Sequence, residues 1–176
     1  MDSEGNIIQS HCYKILPVLV LQTVRRHTDN EFYFVTSYYG DTCYIQGGST
    51  IKHFYPIIGK MDSAGNILDM QRYLMNAGCQ NGAGDLEPTH DKGVITWGRD
   101  LSFFALKADS NLAHVWSKHF NRRGGFQFIK ELPGGDLLAG INMDTAGAVV
   151  ARMDADGNFL WCKSYIRPKG RVHDAL

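Results

Sequence analysis

The sequence predicts an all-β chain of stacked four-stranded antiparallel sheets, and three observations carry that prediction. One hairpin motif recurs at Asp62–Tyr73, Asp109–Phe120 and Asp154–Tyr165, its aspartates 47 and 45 residues apart. Short apolar runs of strand length are separated by Gly, Asp and Asn clusters, the punctuation of tight hairpins. Finally, the 176 residues are 44% hydrophobic and 20% charged, enough apolar material for one domain with a substantial core.

The elements follow in chain order as one repeat domain over residues 1–176. Met1-Asp2-Ser3-Glu4-Gly5-Asn6-Ile7-Ile8 opens on a copy of the motif, and Tyr13 corresponds to Tyr73, Phe120 and Tyr165. Residues 1–14 therefore read as the last strand of an incomplete sheet. Residues 15–75 read as a complete sheet with an insertion, because Asp2 and Asp62 stand 60 apart, about 14 more than the repeat of about 46. That insertion falls within Ser37–Lys52. In residues 76–122, Val94–Gly98 follows the turn Asp91-Lys92-Gly93, Ala105–Asp109 aligns with Val150–Asp154, and Trp116 lies 45 residues before Trp161. Residues 123–167 hold the best-formed unit: Phe126–Leu132, Gly134–Gly140, Ala148–Asp154 and Phe159–Tyr165. Val172–Leu176, within residues 168–176, reads as the start of a further sheet.

Four strands in meander order make one propeller-type blade. The Asp-x-x-Gly-Asn stretch needs a glycine to supply positive φ and an aspartate to bond the turn's own amides. The terminal aromatics at Tyr13, Tyr73, Phe120 and Tyr165 are expected to pack between neighbouring sheets, each burying about 150–250 Å². Sheets with these positions repeated bury their faces against each other. The fold expected is thus β-propeller-like: about three four-stranded antiparallel blades plus a stray N-terminal strand, in an open or partial ring, since closed propellers have about four to eight blades. Two readings explain the open ring: the chain is a piece of a longer one, or copies associate to complete it.

The motif resembles a broad group of bacterial propeller-like repeats with blades of the D-x-x-G-N-x-x-W type. Gly134–Tyr165 matches closely, Ile57–Tyr73 in its second half, and Val94–Phe120 with Leu112-Ala113 in place of Gly-Asn. The resemblance covers most of the chain. It implies an exported or cell-surface protein, and a fold that hosts adhesins, binding modules and accessory domains alike.

Eighteen basic and eighteen acidic residues cancel, so no overall field steers the chain toward nucleic acid. The longest apolar run, Ile15–Leu21, is far short of the roughly 18 residues of a membrane span. Met1-Asp2-Ser3-Glu4-Gly5 lacks the basic then apolar pattern of an export signal. Cys12, Cys43, Cys79 and Cys162 form no C-x-x-C pair, and a core of this size needs no covalent staple, so free thiols are expected.

Candidate chemistry is sparse. Asp154, Asp156 and Asn158 have the alternating oxygens of a calcium loop, yet the other copies lack the second aspartate and no Glu closes a 12-residue loop, so a plain hairpin turn is the better reading. The histidines at His11, His27, His53, His90, His114, His119 and His173 lack metal-helix spacing, and His114 and His119, five apart, are expected on opposite faces of a strand. Cys79 lies in a glycine-rich stretch with no base at a defined spacing, and that stretch lacks the setting of a phosphate loop. No cofactor is expected. The inserted segment is richer: Tyr38, Tyr39 and Tyr44, with Phe54 and Tyr55 just after, are the rigid amphipathic residues that adaptable binding loops use. The expectation is a non-enzymatic binding module that contacts a protein or glycan through blade-end loops and the hairpin near residues 37–55. The alternative is a self-associating structural component, and a remote third is an enzyme with a site at the propeller mouth.

Overall fold

The computed structural model describes residues 19–44, 50–74, 82–99, 103–120, 122–144 and 147–165, with backbone only at 19–20, 39–44 and 50–54. The expected N-terminal strand (1–14), the start of a further blade (168–176) and Tyr13 lie outside these residues. Among them the chain is all-β, in three four-stranded antiparallel meanders that do not close into a barrel. The first sheet comprises β1 (Leu19–Arg26), β2 (Glu31–Tyr44), β3 (Thr50–Asp62) and β4 (Ile67–Arg72). The second comprises β5 (Ala83–Pro88), β6 (Val94–Arg99), β7 (Phe103–Ala108) and β8 (His114–Phe120). The third comprises β9 (Gly124–Glu131), β10 (Leu137–Met143), β11 (Gly147–Met153) and β12 (Phe159–Tyr165).

The recurring aspartate builds the turn between the third and fourth strands of every sheet. In each, the Asp amide donates to the carbonyl four residues on and its own carbonyl accepts from the amide three residues on: Asp62 with Asn66 and Gly65, Asp109 with Ala113 and Leu112, Asp154 with Asn158 and Gly157. That is a three-residue hairpin loop whose last residue must take positive φ. Gly65 (84°) and Gly157 (76°) do so freely, whereas Leu112 does so at 61° despite its side chain. Leu112 is 1% exposed, so burial of its side chain offsets the backbone cost. The carboxylates finish the turns: Asp62 Oδ1 and Oδ2 each accept from Asn66 at 2.8 Å, and Asp154 accepts likewise from Asn158 at 2.8 and 3.0 Å.

A second recurring feature is a cation two residues before that aspartate, reaching an acid at or just before the start of the second strand. Lys60 meets Glu31 at 3.9 Å, Lys107 meets Asp91 at 2.7 Å and Arg152 meets Asp136 at 2.7 Å. Each sheet also holds a phenylalanine across the ladder from a glycine: Phe34 opposite Gly59, Phe104 opposite Gly98, Phe128 opposite Gly140. At Gly59 and Gly140 the ring lies where a Cβ would be, 2.2 and 2.3 Å from that position.

Two cores hold the stack together. Between the first and second sheets, Tyr33, Val35 and Ile58 pack on Leu86, Phe104 and Leu106. Between the second and third, Ile95, Trp97 and Phe103 pack on Phe126, Ile129 and Ala139. Aromatic tips cross each seam to a carbonyl: Tyr33 Oη donates to Lys92 O and Tyr73 Oη to Leu112 O, both at 2.6 Å, and Trp116 Nε1 to Ala155 O at 2.9 Å. Burial, helped by Glu31 and other nearby carboxylates, pushes the Tyr33 hydroxyl up to about 12, keeping it a neutral donor. Of the expected terminal aromatics, Tyr73 is 5% exposed and Phe120 meets Phe126 and Phe159 of the third sheet with ring centroids 5.5 and 5.2 Å apart, as expected of residues between sheets. Tyr165 is instead 57% exposed, on the outer strand of the third sheet, where it packs against no other described sheet.

Candidate functional site

The insertion is an extension of one hairpin. β2 and β3 run 14 and 13 residues, well past their six-to-eight-residue neighbours β1 and β4, and pair Tyr38 with Tyr55, Tyr39 with Phe54 and Tyr44 with Thr50. A shift in register between Tyr39 and Thr42 marks where the extension leaves the sheet. The side chains of Tyr39, Tyr44 and Phe54 lie outside the described residues. Those of Tyr38 and Tyr55 are half-buried and share the face of the first sheet turned away from the second.

Arg72, at the end of β4, brings these two tyrosines together. Its guanidinium stands 5.4 Å from the Tyr55 ring centroid and 5.9 Å from that of Tyr38, within reach of both quadrupoles. A cavity of about 270 Å³ opens there, lined by Tyr38, Ile57, Met70 and Arg72. Arg72 also borders a larger cleft of about 480 Å³, between β4 and the end of the second sheet, walled by Gln71, Tyr73, Leu112, His114 and Ser117. A concave site with an apolar wall and a few converging polar groups is the usual form of a ligand site. Sequence reading reached Tyr38 and Tyr55 but missed Arg72 and the cleft. Arg72 is the second residue beyond Met70 on the same face, a signal visible only once the strand register is known.

The two histidines of β8 are placed differently from expectation. A β-bulge pairs Ala108 with His114 and Lys107 with Trp116, so one extra residue reverses the alternation. His119 pairs with Phe104, which shares a face with Ala108, and His114 and His119 therefore lie on the same face. They stand at opposite ends of the strand. Desolvation lowers the His119 pKa, and its Nδ1 has no hydrogen-bond partner among the described residues.

Among the described residues no group of three His, Cys, Asp or Glu side chains is placed to hold a metal ion. Asp154 and Asn158, two of the calcium-loop candidates, are committed to each other, and Asp154 Oδ1 also accepts from the Asp156 amide at 3.0 Å. These bonds hold the Asp154 carboxyl below its usual range. Cys162 is a free thiol whose pKa is raised by partial desolvation, and Cys79 lies outside the described residues.

Asp91, in the turn before β6, is held below its usual carboxylate range. Desolvation raises its pKa, but bonds from Lys107, Thr89 Oγ1 and the Gly93 amide outweigh it and bring it down to about 2 from 3.8. A carboxyl whose folded pKa lies below its unfolded one contributes stability above the unfolded value and loses it as pH falls toward the folded value. The melting temperature is therefore expected to drop between about pH 4 and pH 2, less steeply in Asp91→Asn. Parallel pH profiles of the two proteins in thermal melts would show that Asp91 is not responsible.

No protein-family model matches the chain, and no curated protein matches it. No helix among the described residues is long and apolar enough to cross a membrane.

Proposed function

We propose that this chain is a non-enzymatic binding module that holds a protein segment or a glycan along the surface from the inserted hairpin, across Arg72, to the cleft beside β4. The observation that carries this reading is the position of Arg72, over two tyrosine rings and at the border of both concavities. A planar cation held on aromatic faces offers donors to a carboxylate or hydroxyl-rich chain, while the tyrosines supply rigid contact area. The reading agrees with the resemblance to bacterial propeller-like repeats and with a place at the cell surface. It is tested on a glycan array and by pull-down with the full chain. Arg72→Ala is expected to weaken capture about tenfold or more, with Tyr38→Ala and Tyr55→Ala close behind. Binding unchanged in all three variants would remove this surface from consideration.

A second reading, a self-associating component of a larger assembly, is favoured by the outer strand of the third sheet. On β12, Trp161 is 40% exposed, Leu160 54% and Tyr165 57%, an aromatic edge of the kind that associates.

A further inference from the structure

The seam between the second and third sheets is made at its rim by a matched set of groups. Trp116 lies against the turn of the third sheet: its ring comes within 3.0 Å of where a Cβ would stand on Gly157, and its Nε1 donates to Ala155 O at 2.9 Å. Two residues along β8, Lys118 Nζ donates to Asn158 Oδ1 at 2.8 Å. A tryptophan and a lysine on one outer strand thus grip a Gly-Asn turn on the next sheet. A Cβ on this glycine would crowd the ring, and the residue also takes the positive φ of the turn.

The same halves recur unmatched at the two ends of the stack. Trp161 and Lys163 stand on β12 at the positions of Trp116 and Lys118, each 45 residues on, and Lys163 lies 5.6 Å from the Trp161 ring centroid. Both are exposed and meet no turn among the described residues. At the other end, the first sheet carries the turn Asp62-Ser63-Ala64-Gly65-Asn66, with the bonding pattern of Asp154–Asn158 and with Ser63, Ala64 and Asn66 exposed. The intervening turn supports the correlation. Facing the second-sheet turn, β4 has Asp69 where Trp116 would stand, and there the Gly-Asn pair is replaced by Leu112-Ala113.

We infer that Trp161 and Lys163 seat on the Gly65-Asn66 turn of a second copy of this chain, with Trp161 Nε1 donating to Ser63 O and Lys163 Nζ to Asn66 Oδ1. Two copies joined head to tail at both ends bring six blades together, within the four to eight of closed propellers. The seat is at the start of β4 and Arg72 at its end, roughly 20 Å away along the strand, but both belong to the outer side of the first sheet, so a copy seated there competes with a ligand for the surface around Tyr38, Tyr55 and Arg72. The inference rests on the self-association reading and supplies its contact.

The test uses the full chain and measures mass in solution at about 1–100 µM, where complexes of this kind are populated. Trp161→Ser removes the ring. The pair Gly65→Leu with Asn66→Ala rewrites the first turn in the residues that the second-sheet turn already tolerates, and melting curves confirm that each variant folds. The expected result is a dimer for the native chain and about a 100-fold weaker association for each variant. A mixture of the two variants, which can form only one of the two junctions, is expected to stay weaker than the native dimer. A monomeric native chain would overturn both the inference and self-association. A native dimer that persists in either variant would overturn the seat and leave self-association standing.

Discussion

Gly98→Ala is expected to destabilise the chain by about 3 kcal/mol, at the upper end of what overpacking costs. A Cβ at this position would stand 2.0 Å from the carbonyl oxygen of Gly82 and 2.8 Å from the Phe104 ring. The first obstacle is backbone, which cannot rotate away, and the second is a fully buried side chain at the centre of the stack. Gly59→Ala meets a different obstacle, since its three nearest atoms all belong to the Phe34 ring. The two sites should therefore respond oppositely to a smaller partner. Phe34→Leu in the Gly59→Ala background is expected to recover part of the loss, whereas Phe104→Leu in the Gly98→Ala background is not. Denaturant unfolding of these four variants, of Phe34→Leu and Phe104→Leu alone and of the native chain, read as two double-mutant cycles, decides the matter. A Gly98→Ala protein within about 0.5 kcal/mol of the native one would mean that the strands separate there easily, against the geometry.

Leu112 is the other position where backbone and side chain pull in opposite directions. Its side chain is 1% exposed in the core between the first two sheets, and Leu112→Ala is expected to cost about 2–5 kcal/mol. Leu112→Gly removes one carbon more, which ordinarily lowers stability further. Here the residue sits at φ 61°, a conformation that costs a side-chain-bearing residue about 1–2 kcal/mol and a glycine almost nothing. Leu112→Gly is therefore expected to be no less stable than Leu112→Ala. Both variants keep the Leu112 carbonyl that Tyr73 Oη bonds, so the comparison isolates the backbone. A glycine variant clearly weaker than the alanine one would show that the positive φ carries no appreciable strain.

The sheets and their hairpin turns were legible because the sequence repeats its punctuation. Asp62, Asp109 and Asp154, each closing a turn through its own backbone and carboxylate, are readable from spacing alone. Other features were hidden for reasons of register. The bulge at His114–Trp116 inserts one residue into a strand, and strict alternation then misplaces every side chain beyond it, His119 among them. The pairing of Phe34 with Gly59 joins residues 25 apart, and nothing local marks it. The cation before each turn, Lys60, Lys107 and Arg152, was in view as part of the repeat, but its acidic partner lies at or before the start of another strand. At the candidate site, aromatic content pointed to the inserted hairpin. Arg72, which joins Tyr38 and Tyr55 to the cleft, comes from an ordinary-looking strand and was silent until that strand was placed.

The single-file order of the sheets sets how disturbances travel. Among the described residues the first and third sheets share no core, and each is coupled to the other through the second. In such a chain of nearest neighbours, stability is close to a sum of intrinsic sheet terms and seam terms, and loosening at one end reaches the other only if the middle yields. The middle sheet, clasped on both faces, is then the keystone of cooperative unfolding, while β12, at the free margin, frays first. A partner that clamped β12 would stiffen the whole row by removing the end from which it unravels.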